Sequence, residues 1–234
     1  MYKIIRSGER GKTDTNWLKS WHSFSFGDYF DYEKVNFGPL RVINDDIIAP
    51  RGGFPTHPHK NMEIITLVLS GALTHKDSTG NAESISYGEI QKMSAGSGIL
   101  HSEFNDSSTE EVHLLQIWIL PDRQNIQPGY QKVNFNLEEI KNKLFLAAGS
   151  DKESSTQIYQ DAKLFYSVYE KGKEVSYKLP QGRGLYIHII SGKVLVENET
   201  LTEGDAIQIS GQDSAALNFT EQSSFILFDL SLQN

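Results

Sequence analysis

Two polar clusters separated by apolar strands constrain this chain more than any other feature of its sequence. The first cluster spans residues 52–63 and the second spans residues 96–105. Between them lie two apolar runs, Ile64 to Leu69 and Ile85 to Met93, which are separated by turn residues. Such runs, bounded by glycines and polar turns, predict antiparallel β-strands. We therefore expect both clusters to lie on one continuous β framework.

Each cluster carries metal-binding side chains two residues apart: His57 and His59 in the first, His101 and Glu103 in the second. Alternate side chains of a strand point to the same face, so each pair shares a face and the four groups can converge. Imidazole and carboxylate together suit iron, copper, nickel or zinc, and four protein ligands leave coordination positions open. A single strand histidine is more often a satisfied core or surface residue. Two such pairs, each beside a glycine cluster, favour the metal site.

Bulk properties narrow the function classes. With 234 residues the chain can form one large β domain or two domains of about 100 to 120 residues. The net charge of -8 argues against direct binding to nucleic acid or to an anionic membrane. The absence of cysteine excludes disulfides and thiolate catalysis. There is no apolar signal core and no run of membrane-spanning length, so we expect a cytoplasmic protein.

Three further histidines have weaker patterns. The aromatic segment 17–30 contains a strand-like alternation, and we expect it to cover the open side of a barrel; the alternative is that its rings line the mouth of the metal site. We expect His22 to be a buried, hydrogen-bonded structural residue. His75 has no histidine two residues away and leads into a polar turn, which favours a supporting or surface role. His113 alternates with apolar residues in the strand 112–120, which favours a core or supporting role.

The motifs resemble those of a known superfamily. The first cluster has the cupin pattern of His-x-His-x-x-x-Glu followed by a distal glycine, and the second has Gly followed by His and Asn. The matching residues are His57, His59, Glu63 and Gly71, then Gly88, Gly98, His101 and Asn105. The strings at residues 22–27, 38–42, 57–59 and 94–103 resemble the pirin family within that superfamily. The resemblance is strong over residues 1–125 and extends to the remainder by overall plan.

The resemblance implies an all-β bicupin: two β-barrel (double-stranded β-helix) domains with short helical connections and a single metal in the N-terminal domain. The ion expected is iron(II), with other transition metals as alternatives. The pirin ligands match His57, His59, His101 and Glu103. In most cupins the carboxylate ligand instead stands at the position of Glu63. We therefore keep Glu63 as the second candidate ligand and expect it to orient an imidazole.

The C-terminal half repeats the plan without the ligands. Residues 185–192 echo residues 64–71, and residues 201–209 echo residues 86–93. The second copy has no His-x-His, and its one histidine, His188, lies inside an apolar strand. We expect a metal-binding domain over residues 1–130 and a second domain without metal ligands over residues 131–234.

The junction between the domains should fall within residues 128–155, where residues 137–144 predict a short helical turn and residues 149–155 a polar loop. The final apolar run, 225–230, is a candidate to cross back and pair with the first domain. Two cores in one chain make a monomer sufficient for stability, and we expect one.

The resemblance also implies a reaction. Bacterial pirin-like proteins are similar to quercetin 2,3-dioxygenases, which cleave a flavonol with dioxygen and release carbon monoxide. In this interpretation Glu103 is both a ligand and the base that takes the substrate's proton. Eukaryotic pirins are similar proteins that act as iron-dependent partners of transcription regulators. The alternative is therefore a redox-responsive protein-binding module with a protein partner.

Overall fold

A computed structural model describes residues 1–232, and nearly all of their regular structure is β. The first half contains, besides a 3-10 turn at Ser7–Glu9, strands β1 (Tyr2–Ile5), β2 (Gly11–Asp14), β3 (Leu18–His22), β4 (Leu40–Ile48), β5 (Gly53–His59), β6 (Glu63–Ser70), β7 (Ala72–Asp77), β8 (Ala82–Ser86), β9 (Glu89–Ser94), β10 (Ile99–Phe104), β11 (Val112–Ile119) and β12 (Gly129–Asn134). The second half contains helix α1 (Leu137–Ile140) and strands β13 (Phe145–Gly149), β14 (Thr156–Gln157), β15 (Ala162–Tyr169), β16 (Glu174–Lys178), β17 (Arg183–Ser191), β18 (Lys193–Val196), β19 (Glu199–Thr202), β20 (Ala206–Ser210), β21 (Ser214–Phe219) and β22 (Ser223–Ser231). Within these residues no helix has the length and apolar character needed to cross a membrane.

The strands form four sheets, two in each half of the chain. The first half has a seven-stranded sheet of order β12-β9-β6-β11-β4-β3-β2 and a four-stranded sheet of order β5-β10-β7-β8. The second half, joined by β1 from the start of the chain, has the orders β1-β20-β17-β22-β15-β13-β14 and β16-β21-β18-β19. The two arrangements match strand for strand, which confirms the predicted duplicated all-β plan. Each half is an open two-sheet sandwich rather than a closed barrel, and we call the halves the first lobe (β2–β12) and the second lobe (β1 with β13–β22).

The first strand of the chain, not the last, crosses between the lobes. β1 pairs with β20 of the second lobe, with Ile4 opposite Ile207. The predicted crossing of the final strand is wrong, because β22 pairs with β15 and β17 of its own lobe. Its run from Phe225 to Leu230 is apolar because β22 lies inside a sheet that is covered on both faces. β12 pairs with β9 at the matching edge of the first lobe, and a division of the chain near residue 130 stays a prediction.

A shared apolar core joins the two large sheets. Ile65 and Leu67 of β6 face this core, where they belong to one cluster with Tyr186 of the second lobe. Ile64 and Val68, on the opposite face of β6, point into the first lobe's own interior. β6 is therefore buried on both faces, which explains why its sequence is apolar at nearly every position instead of alternating.

The interior of the first lobe is layered. One layer is an apolar cluster that contains Leu18, Ile48, Val68, Leu73, Ile85, Val112 and Leu114. A smaller apolar group contains Ile64, Met93, Ala95 and Ile99. Buried polar residues stand between these groups on the same strand faces; we call them the polar belt, and they are Asp46, Thr66, Gln91, Glu103 and Gln116. The sandwich therefore buries polar groups where a folding core would ordinarily be apolar, and these groups require partners.

The helical turn in the junction is shorter than predicted. Asn136 caps α1 by accepting a hydrogen bond from the Glu139 backbone, and the Glu139 carboxylate accepts one from the Asn136 backbone. The helix ends at Ile140 rather than continuing to residue 144. Asn142 has a positive φ of 53° and exchanges two hydrogen bonds with Glu170, so a tertiary contact ends the helix.

Candidate metal centre

Two neighbouring strands of the small sheet, β5 and β10, present the predicted ligands. They pair antiparallel with His57 opposite His101 and His59 opposite Ile99. The register shifts between His101 and Glu103, which marks a β-bulge. Gly53 permits β5 to lie close to β10 at this bulge, because a Cβ at position 53 would lie 2.4 Å from the Glu103 carbonyl oxygen. Gly53, at the start of the first cluster, is therefore required for the packing of β5 against β10.

The three imidazoles converge at one point. The ring centroids of His57 and His101 are 4.4 Å apart, and the ring of His59 lies 4.8 Å from each of them. Trp118 packs edge-on against His59 at 4.9 Å. The donor nitrogens of the three histidines all lie within 4.8 Å of one another, so they can share one ion.

The hydrogen bond of His57 directs a lone pair toward His101. A neutral imidazole has one N–H and one lone pair. Nδ1 of His57 donates to the Pro55 carbonyl at 2.8 Å, so its Nε2 carries the lone pair. That atom lies 3.0 Å from Nε2 of His101, whose Nδ1 lies 3.4 Å from a nitrogen of His75. If Nε2 of His101 also carries its lone pair, the two Nε2 atoms are close enough to bind one cation together.

Glu103 is held by the polar belt. Its carboxylate accepts hydrogen bonds from Gln116 at 2.9 Å and from Gln91 at 3.5 Å. It forms a donor group with His101 and His75, not with His57 and His59. The structure thus divides the four predicted ligands between two overlapping groups that share His101.

Burial sets the charge state of these side chains. Burial, reinforced by the charge of Asp46, raises the pKa of Glu103 to about 7. Burial likewise raises the pKa of Asp46 to about 7. Burial together with the neighbouring histidines lowers the pKa of His101 to about 2 and that of His59 to about 4. His59 and His101 are therefore neutral at pH 7, which is the form that binds a metal.

The imidazoles open into a cavity of about 470 Å³. His57, His59, His101 and Glu103 all line it, whereas His75 does not. Aromatic or apolar side chains form part of the remaining wall and include Leu18, Phe26, Phe54, Pro55, Ile64 and Trp118. A cavity of this size that combines aromatic walls with polar groups is typical of a small-molecule site.

Polar residues on β2, β3 and β4 complete the wall opposite the imidazoles. His22 is buried, as predicted; its Nδ1 lies 2.8 Å from the Asn44 side-chain oxygen and its Nε2 lies 2.9 Å from the Thr13 hydroxyl. Asp46 lines the same cavity, and its Oδ1 has no hydrogen-bond partner in the described part of the chain. The sequence signal for Asp46 is weak, because Asp46 directly follows two other polar residues of β4, Asn44 and Asp45.

Two of the weaker expectations need correction. Glu63 was expected to orient an imidazole, but its carboxylate accepts from Ser94 at 2.8 Å and lies 3.9 Å from Lys92. It belongs to neither of the possible donor groups found within residues 1–232. His113 is not a core residue: it is about one-third exposed and lies 2.6 Å from Asp45. Both side chains point away from the imidazoles, because β-strand alternation places them on the face of the large sheet that is turned away from the cavity.

His75 lies where the first of its two expected roles, that of a supporting residue, would place it. It is fully buried and contacts both His101 and Asp77. Its neighbours could not be named in advance, because β7 becomes the neighbour of β10 only in the folded sheet.

Comparisons with known proteins agree with the two-lobed fold. Residues 5–119 match the family model described as Pirin, and residues 145–230 match the quercetinase C-terminal cupin domain. The fold and these matches define the class of this protein as a bicupin. The chain belongs to the pirin family.

The similarity to individual relatives extends over the whole chain. Quercetin 2,3-dioxygenase of Escherichia coli K12 is 38% identical over 230 residues, which cover 98% of this chain and 99% of that protein. The crystal structure of a bacterial pirin from E. coli in complex with nickel(II) has a TM-score of 0.94 and 38% identity, with 99% of each chain covered. A protein from Geobacillus kaustophilus, 22% identical with a TM-score of 0.81 over 99% of this chain and 96% of that one, shares the fold.

Proposed function

We propose that this chain is a metal-dependent dioxygenase that cleaves a flavonol such as quercetin. The observation that carries the proposal is the cavity of about 470 Å³, where three imidazoles and a carboxylate meet aromatic walls. A flat polyphenol can stack against Phe26 and Trp118 while its hydroxyl groups reach the polar end. The full-length relative named quercetin 2,3-dioxygenase supports the same substrate class.

The proposed ligands are His57, His59, His101 and Glu103, and the proposed ion is iron(II). Nickel(II) is the alternative, because a close relative has been crystallised with it. Imidazole nitrogens and one carboxylate are donors that suit either ion. When bound, the ion supplies Lewis-acid and redox chemistry to the substrate hydroxyl and to dioxygen.

The protein's own residues bind, orient and deprotonate the substrate. Glu103 takes the proton of the flavonol 3-hydroxyl, and Gln91 and Gln116 hold its carboxylate in place for that transfer. Both atoms of dioxygen enter the ring-opened product, and the carbon that bore the 3-hydroxyl leaves as carbon monoxide. The aromatic walls exclude water, which keeps the substrate anion from being reprotonated by solvent.

Oxygen uptake by iron(II)-reconstituted protein with quercetin tests the proposal. The wild type should consume one dioxygen and release one carbon monoxide for each quercetin lost. His101→Ala should do neither, whereas the control His113→Ala, which removes a histidine outside the cavity, should match the wild type. A wild type that retains iron but consumes no oxygen would reject the dioxygenase. Capture of protein partners by the iron(II) and iron(III) forms would then test the alternative, a protein-binding module. The oligomeric state, predicted to be a monomer, would be measured in the same experiments.

A further inference from the structure

A buried chain of hydrogen-bonding groups leads from the metal centre into the small sheet. β7 pairs with β10 so that His75 stands opposite Glu103 and Asp77 stands opposite His101. Nδ1 of His75 lies 3.4 Å from Nδ1 of His101, and Nε2 of His75 lies 3.1 Å from the Asp77 carboxylate. The side chains of His75 and Asp77 are both 0% exposed.

The Asp77 carboxylate is a fixed acceptor. It accepts hydrogen bonds from the backbone N–H and hydroxyl of Thr79 and from the backbone N–H and amide of Asn81, at distances of 2.7 to 3.2 Å. An ionised carboxylate can only accept. The facing nitrogen of His75, Nε2, must therefore carry a hydrogen and donate it. Tyr130 stacks on the His75 ring, with centroids 5.0 Å apart, and holds its plane.

The tautomer of His75 determines that of His101. A neutral imidazole has one N–H, so a His75 that donates from Nε2 offers a lone pair at Nδ1. A metal ion bound to His101 adds positive charge close by, which disfavours a second hydrogen and a second positive charge on His75. His101 must then donate from its own Nδ1. Its Nε2 is left with the lone pair, and this is the atom that faces His57 at 3.0 Å.

We propose that Asp77 and His75 form a hydrogen-bond relay that fixes the ligand tautomer of His101. This inference rests on the metal centre proposed above. Carboxylates that hold the far nitrogen of a metal-bound histidine are a common outer support, and their loss typically weakens metal binding by about 10- to 100-fold. Here a second imidazole is inserted between the carboxylate and the ligand. His75 and Asp77 are therefore positioning residues of the centre.

The alternative is that His75 itself binds the ion, because His75, His101 and Glu103 also form a possible donor group. The geometry favours the relay. Both nitrogens of His75 already face a partner, and His75 does not line the cavity from which the other ligands are reached.

Nickel(II) binding to the full-length protein distinguishes these roles. His75→Phe keeps the ring that stacks on Tyr130 but removes the acceptor, and it should weaken nickel(II) binding about 10- to 100-fold. His75→Asn places an oxygen near the position of Nδ1 and should stay within about threefold of the wild type. His113→Asn is the matched control, since it alters a second His–Asp pair outside the cavity. Chelator competition measures the affinities, and a thermal melt confirms that each variant is folded.

Each outcome has a distinct meaning. If folded His75→Phe binds nickel(II) as tightly as the wild type, the relay is wrong although the metal centre stands. If His75→Asn loses as much affinity as His75→Phe, His75 is a ligand and the relay is again wrong. Long-range ¹H–¹⁵N NMR of the protein loaded with diamagnetic zinc(II) provides a readout besides affinity. The relay predicts a hydrogen on Nε2 of His75 and on Nδ1 of His101, and the opposite tautomers would overturn it. A wild type that binds neither nickel(II) nor zinc(II) would reject the proposed centre, whereas a wild type that binds the metal but has the opposite tautomers would overturn the relay alone.

Discussion

The two lobes share one strand plan but fill their interiors differently. In the first lobe His75 on β7 stands opposite Glu103 on β10. In the second lobe, at the matching distance from the turn glycines Gly71 and Gly192, Val196 on β18 stands opposite Leu217 on β21. The polar belt and imidazoles of one lobe are thus replaced by an apolar core in the other. That core contains Leu185, Ile187, Val194, Val196, Leu201, Ala215, Leu217 and Phe219.

The difference separates stability from chemistry. Burying a large apolar side chain stabilises a fold by about 1.5–3 kcal/mol, whereas a buried carboxyl group costs free energy unless it has partners. The first lobe accepts that cost at Glu103 and Asp46, and the apolar core it shares with the second lobe offsets part of it. The apolar interior of the second lobe therefore contributes to the stability of the fold.

The largest expected effect is the loss of the metal from a first-lobe variant. His101→Ala removes a donor that belongs to both possible donor groups. We expect iron(II) retention and quercetin turnover to fall by roughly 100-fold or more. Metal content after gel filtration and the rate of quercetin loss would measure this. Retention of stoichiometric iron by the variant would place the centre elsewhere.

The matched second-lobe variant should show the opposite pattern. Phe219 is buried and stacks with Tyr169 at 4.5 Å and with Phe225 at 5.5 Å. Phe219→Ala should lower the free energy of unfolding by about 3–5 kcal/mol because it leaves a cavity. Below its melting temperature, its nickel(II) affinity should equal that of the wild type. Urea denaturation and chelator competition on the same preparation would check both halves of this prediction.

The lone histidine of the second lobe should affect stability through pH. Burial, together with the charge of Arg10, lowers the pKa of His188 to about 4. The pKa of His188 in the folded protein lies below its unfolded value of 6.5. Its contribution to the free energy of unfolding is therefore complete above pH 6.5 and is lost as the pH falls toward 4. The full difference is about 3 kcal/mol. His188→Leu, which cannot titrate, should show a flatter dependence of the unfolding free energy over this range. Equal slopes for the two metal-free proteins would contradict the prediction.

The smallest effect on the centre is expected at Glu63. Its carboxylate contacts Ser94 and Lys92 rather than an imidazole. Glu63→Gln should therefore keep nickel(II) affinity within about threefold of the wild type, although removing its charge beside Lys92 destabilises the fold. Calorimetric titration would detect a larger loss, which would restore Glu63 as a support of the centre.

The sequence predicted local features well. His57 and His59, like His101 and Glu103, are two residues apart, and period-2 alternation brings each pair to one face without knowledge of the fold. The apolar runs also located the central strands, because a strand buried on both faces needs apolar side chains throughout.

Features that depend on distant pairing could not be predicted. The edge position of β1 beside β20 joins residues about 200 positions apart, and nothing in its short sequence specifies that partner. His75 and Asp77 acquire their relation to His101 only when β7 and β10 become neighbours. The partial separation of Glu103 from His57 and His59 follows from a bulge and from Gln91 and Gln116, which sequence alternation does not encode.

The most direct test of the account is anomalous X-ray diffraction at the nickel edge from crystals of the nickel(II)-loaded protein. We predict one strong peak in the first lobe, within bonding distance of His57, His59, His101 and Glu103, and no peak in the interior of the second lobe. A peak bonded to His75, or a crystal that contains bound nickel(II) only outside the first-lobe cavity, would contradict the proposed centre.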